Sequence, residues 1–141
     1  MKLPQYVRRR SRLVDKIPTF RKARGEATPF GIFLRGDVYD DLLKENPKPE
    51  NIVVLIHEEK HRKHQKEMGI FMFGVKYYAS RKFRFEEELS CYISMMEVMK
   101  KNKIKFDIEG IARKLSGPMY YWSIDYKTAK FRLESAWKKI K

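Results

Sequence analysis

The stretch "IVVLIHEEKHRKHQKEMG", residues 52–69, constrains this chain more than any other. Five apolar residues lead directly into a charged run that ends at Gly69. Pro49 suits the first turn of a helix and Gly69 suits a C-terminal stop, so the pattern predicts a helix over 50–68. Its first half is apolar all round, which places that end inside a core. Its second half carries all three histidines of the chain, His57, His61 and His64.

His57, Glu58 and His61 stand in the order H-E-x-x-H. Residues four apart on a helix lie about 40° apart around its axis, one turn above each other. His57 and His61 therefore project together and can hold one zinc ion. Glu58 lies about 100° round from His57, near enough to reach water at such an ion and too far round to be a natural ligand beside both histidines. Zinc brings the pKa of water to about 7 and polarises a scissile carbonyl, and a carboxylate in that slot serves as general base. With three histidines and twelve glutamates shuffled through the chain, the motif arises in roughly 0.4% of cases, so coincidence is a poor account of it. A tetrahedral catalytic site also needs a third protein ligand. The spacing H-E-x-x-H-x-x-G-x-x-H fails here, because His64 takes the glycine slot and Glu67 the last one. Downstream, "RFEEELSCYISMM" (84–96) offers Glu86, Glu87 and Glu88.

The rest of the chain frames this helix. Its 141 residues are 43% hydrophobic, enough for one domain with its own core despite 35% charged residues. The single cysteine, Cys91, excludes a disulfide framework, and no apolar run is long enough for a transmembrane segment. No apolar stretch follows the basic start as a secretory signal requires, so a soluble cytoplasmic protein is expected. Residues 1–24 read as a basic N-terminal arm with a short helix over 7–14, and "GIFLRGDVY" (31–39) as a strand. Residues 40–51 read as a turn-rich connection. Further helices are expected over 85–101, from an N-cap at Asp107, and from about Ser123. The fold class is α+β, mostly helical with a small mixed sheet.

The net charge of +14, with Arg8, Arg9, Arg10 and Arg12 as its densest run, supports an alternative: a basic nucleic-acid-binding protein with a structural metal or none. A solvated surface accounts for the same charges, so nucleic acid is not the favoured partner.

From "GIFLR" through "LIHEEKHRKHQKEMG" and "VKYYASRKFRFEEELSCY" to the C-terminal helices, the chain resembles the minigluzincins, small zinc metallopeptidases of the gluzincin pattern. The resemblance spans residues 28–140 and implies a zincin-like fold, with a small sheet above an active-site helix and a glutamate helix beside it. It implies one zinc ion, a peptide or protein substrate paired to an edge strand, with "GIFLR" as the matching segment, and latency through a terminal segment in the cleft. His64 stands where relatives often have glutamine.

Within the glutamate triplet, the apolar stripe of Phe85, Leu89, Tyr92 and Met96 decides the ligand. Glu87 points away from that stripe and should be solvated, while Glu86 and Glu88 flank it on opposite sides. Glu88 neighbours Tyr92, Met95 and Met99, whereas Glu86 neighbours Ser90 and Glu97. The resemblance agrees, since a small residue, Cys91, follows Glu88 three positions on. The expected site is thus His57, His61 and Glu88 on zinc with Glu58 as base, supported from outside by His64 and Tyr92. Tyr77, Tyr78, Tyr120 and Tyr121 are expected to pack rather than stabilise an oxyanion, Arg84 to pair locally with an acid, and Cys91 to fill a core.

Overall fold

The computed structural model describes residues 1–141, the side chain of Thr19 excepted. The chain divides into two compact units, Met1–Glu67 and Met68–Lys141, with the α+β character expected and a small mixed sheet confined to the first.

In the first unit, strands β1 (Val7–Arg9), β2 (Gly25–Thr28) and β3 (Gly31–Leu34) form a sheet of order β1-β3-β2. β3 runs parallel to β1, with Val7 opposite Ile32, and antiparallel to β2, with Gly25 opposite Leu34. "GIFLR" is therefore the central strand, and β2 is the edge on its side, which corrects the edge position expected for it. Gly31 makes this crossing possible: at φ +142° it passes so close to β1 that a Cβ would lie 2.3 Å from the Tyr6 carbonyl oxygen.

The stretch expected as a helix over 7–14 opens as β1 instead. Only Val7 of that strand enters the core, so its sequence carries no alternating signal to read. Nor is the basic run a free arm. Arg9 makes a two-pronged ion pair with Asp40, and buried Arg10 donates to Asp15 and to the carbonyls of Phe20 and Ala23. After one short 3-10 turn, a single helical turn, α1 (Pro18–Arg21), precedes β2.

The expected strand over 31–39 stops at Leu34, and α2 (Gly36–Leu42) follows. Val38 and Leu42, four residues apart, are fully buried, so the apolar period has already changed from two to four. Asp41 then fastens the turn. Its carboxylate accepts from Lys48 N–H, the Asn51 amide and Lys44, the first two joining it to the start of α3 (Pro49–Met68). α3 matches its expected span, and Val54 enters the core of Val7, Ile32, Leu34, Val38 and Leu42. Gly69, at φ +86°, ends it as expected.

The second unit is helical: α4 (Ile70–Ala79), α5 (Arg81–Lys101), α6 (Ile108–Leu115) and α7 (Tyr126–Lys139). Ser80 caps α5 through Phe83 N–H, Asp107 caps α6 through Gly110 N–H, and Asp125 caps α7 through Thr128 N–H. α6 packs on α7, and α5 touches both α4 and α7. Phe85, Leu89, Met96, Leu115, Ala129 and Leu133 are among its buried apolar residues. Among the described residues no helix is long and apolar enough to cross a membrane.

Candidate functional site

α3 holds its histidines on a rigid element whose apolar first turns are locked into the sheet. His57 and His61 are buried, their rings 4.8 Å apart and 76° to one another. Their Nε2 atoms converge to 3.1 Å. Two nitrogens about 2.0–2.1 Å from one ion at the tetrahedral angle lie about 3.3 Å apart. The pair is therefore spaced so that it could hold a metal ion, and at the same distance one ring can hydrogen-bond to the other. His64, one turn further on, is half-buried.

Glu58 is buried beside them, under the edge strand. A Cβ at Gly25 of β2 would lie 3.0 Å from Glu58 Cγ and 3.2 Å from its Oε1, so only glycine leaves this carboxylate its place. The backbone of β2 also has a definite polarity. Ile32 and Leu34 spend hydrogen bonds toward β1, on Tyr6 O and Arg10 N–H, so β3 turns Phe33 toward β2. Glu26 faces Phe33 in return, and the N–H and C=O groups of Gly25 and Ala27 point to the outer edge. The Ala27 carbonyl accepts from Gln65 Nε2 at 3.1 Å. Gln65 follows Glu58 by seven residues, two helical turns on the same face, and is buried as well. Neither Gly25 nor Gln65 was singled out from sequence. For Gln65 the two-turn spacing was available, whereas nothing local marked Gly25.

The second unit carries the glutamates. Glu88 is almost fully buried on α5 and accepts a hydrogen bond from the Tyr77 hydroxyl. Burial, and then the Glu88 charge, push the Tyr77 phenol far above its ordinary pKa, so it stays a neutral donor. Tyr92 is buried too, and its hydroxyl meets that of Tyr120 at 2.9 Å. Burial foremost, with Glu88 and Tyr92 next, keeps Tyr120 protonated. Glu86 is exposed and pairs with Arg132 at 2.9 Å, in keeping with its polar edge.

Two expectations fail here. Glu87 is buried, not solvated, with an oxygen 3.8 Å from the Cys91 sulfur. α5 is buried around most of its circumference, so a single stripe does not describe it. Among the described residues Arg84 pairs with no acid. Its guanidinium donates to backbone carbonyls, those of Tyr77 and Tyr78 at the end of α4 and those of Tyr120 and Tyr121. Cys91 is buried as expected.

Comparisons with protein-family models, with curated proteins and with solved structures give no match for this chain.

Proposed function

We propose that this protein is a zinc-dependent metallopeptidase of zincin-like architecture that hydrolyses peptide bonds. The observation that carries the reading is the 3.1 Å approach of the His57 and His61 Nε2 atoms, with buried Glu58 between them in sequence and next to an edge strand. His57 and His61 would supply two ligands, and Glu88, an acid kept buried with a neutral phenol donor, would supply the third. When bound, zinc supplies Lewis acidity toward water and the scissile carbonyl.

The chain's own groups do the rest. Glu58 takes a proton from the attacking water at its carboxylate and passes it to the leaving amine. The outward backbone groups of Gly25 and Ala27 pair with an extended peptide, as an added strand does, so β2 rather than "GIFLR" is the docking edge. Gln65, by occupying the Ala27 carbonyl, limits that pairing to the remaining groups.

The test is Glu58→Gln. Glutamine keeps the shape and is not a ligand, so zinc stays bound at one ion per chain while peptide cleavage falls at least about a hundredfold. Wild-type protein that purifies without zinc and does not bind it stoichiometrically when supplied would end this reading.

A further inference from the structure

α4 is apolar on more sides than a helix that only faces water would be. Its inner side carries buried Phe73, which meets the Phe83 ring edge-on at 5.7 Å. Its outer side is also apolar. Phe71, Val75 and Tyr78 recur at one face of the helix, with Met72 and Ala79 beside them. Phe71 is 82% exposed and Tyr78 71% exposed, far beyond an isolated surface hydrophobe.

The patch extends beyond α4. Arg84 ties the last carbonyls of α4 to those of Tyr120 and Tyr121, and the Tyr78 and Tyr121 rings meet at 6.2 Å. Tyr121 and Trp122 are held at φ +52° and +47°, a left-handed conformation that side-chain-bearing residues adopt only at a cost. Both rings stand out in solvent, 54% and 59% exposed. A buried cation and a strained turn thus hold exposed aromatic rings next to an exposed apolar helix face.

The segments that build this face carry charge of one sign. Residues 68–84 contain no aspartate or glutamate, and Lys76, Arg81 and Lys82 are exposed there. Residues 117–124 contain no acid either. We propose that the outer face of α4, with Tyr121 and Trp122, docks on an anionic lipid surface. Tryptophan and tyrosine favour the headgroup level of a bilayer, apolar side chains favour the acyl boundary, and lysine and arginine reach anionic headgroups. α4 has ten residues, about 15 Å of helix, half of a hydrocarbon core about 30 Å thick, so it lies on the surface and does not span it. A second copy of the chain is the poorer occupant. It would bring another acid-free, cationic patch against this one, on a chain that already carries +14.

The experiment is co-sedimentation of the full chain with vesicles of phosphatidylglycerol and phosphatidylcholine, against phosphatidylcholine alone. Trp122 emission is followed in a Trp137→Phe background, where Phe106 keeps an aromatic partner. Binding to the anionic vesicles with a blue shift of Trp122 is expected. Phe71→Ser with Val75→Ser changes no charge and two exposed positions, and it should lower partitioning at least tenfold at an unchanged circular dichroism spectrum. Arg81→Gln with Lys82→Gln should lower it about fivefold per charge. Unchanged binding of the Phe71, Val75 variant would reduce the effect to adsorption of a cationic protein and overturn the proposal. So would absent binding, or a dimer in sedimentation velocity that the same variant dissolves without any vesicle binding.

Discussion

Gly25 stands against Glu58, the glutamate of the H-E-x-x-H motif, and a methyl group at Gly25 would lie 3.0 Å from the Glu58 Cγ and 2.9 Å from a methyl of Leu34. Both neighbours are side chains, so Gly25→Ala is tolerated by small shifts, at a cost of about 1–3 kcal/mol for overpacking. One of those shifts moves the proposed base. Gly25→Ala should therefore keep its zinc and fold while kcat/KM for a peptide falls about ten- to a hundredfold. Zinc content, a urea melt and cleavage kinetics measured on one preparation check it, and wild-type kinetics would separate Gly25 from the chemistry.

The arginines near the N-terminus divide into structural and surface residues. Arg10 is 2% exposed and bridges Asp15, the Phe20 carbonyl and the Ala23 carbonyl. Arg10→Ala leaves those acceptors without their cation inside the unit, and breaking such a buried arrangement costs about 3–5 kcal/mol. Arg12, on the surface, should change stability by less than about 0.5 kcal/mol when made alanine. Urea midpoints of the two variants decide between this picture and a free basic arm, in which both substitutions would be silent. Because residues 1–24 include β1 and this bridge, removing them to test latency would remove part of the core.

Asp41 links the turn to α3 and makes the first unit sensitive to acid. Hydrogen bonds from Lys44, then Asn51 and then the Lys48 N–H, hold its carboxyl far below the usual range. A depressed folded-state pKa means the contribution is complete above the unfolded value, near pH 4, and is lost as pH falls through the folded one. Asp41→Asn should be less stable than wild type at pH 7, and the gap should narrow steadily below about pH 4. Urea midpoints between pH 2 and pH 7 give the curve. A gap that stays constant to pH 2 would show that the Asp41 charge contributes nothing.

Local chemistry was legible in the sequence and long-range packing was not. α3 could be placed closely because Pro49, Gly69 and the apolar "IVVLI" all act within a few residues, and the pairing of His57 with His61 needs only one helical turn. Asp107 marked α6 for the same reason. α4 escaped notice because it lacks a polar face, so no periodicity separates its inner side from its outer side. β1 escaped because its pairing with β3 is between residues 25 apart, Val7 and Ile32, and three residues carry no pattern. Glu87 departs from the expectation because a single apolar stripe does not define the buried side of α5, which is covered around most of its circumference. The Tyr77 hydroxyl on Glu88 crosses from α4 to α5, a contact no spacing rule selects.

That contact supplies the test of the third ligand. Tyr77→Phe removes the neutral donor from a buried carboxylate, and losing a hydrogen bond to a charged group costs about 1.5–3 kcal/mol. If Glu88 is the ligand, its orientation suffers as well, and zinc affinity should fall about 10- to 100-fold, as for other outer-sphere partners. Glu88→Gln should lose most zinc outright, whereas Glu86→Gln, on an exposed ion pair with Arg132, should keep it. Cys91 is the competing donor, because it lies one helical turn beyond Glu88 on α5 and thiolates bind zinc well. Zinc stoichiometry and competition with a chelator across Tyr77→Phe, Glu86→Gln, Glu88→Gln and Cys91→Ser separate the possibilities. Full zinc in Glu88→Gln with loss in Cys91→Ser would replace the carboxylate by sulfur in the ligand set. Full zinc in both would turn the search to Glu87, which is buried on the same helix.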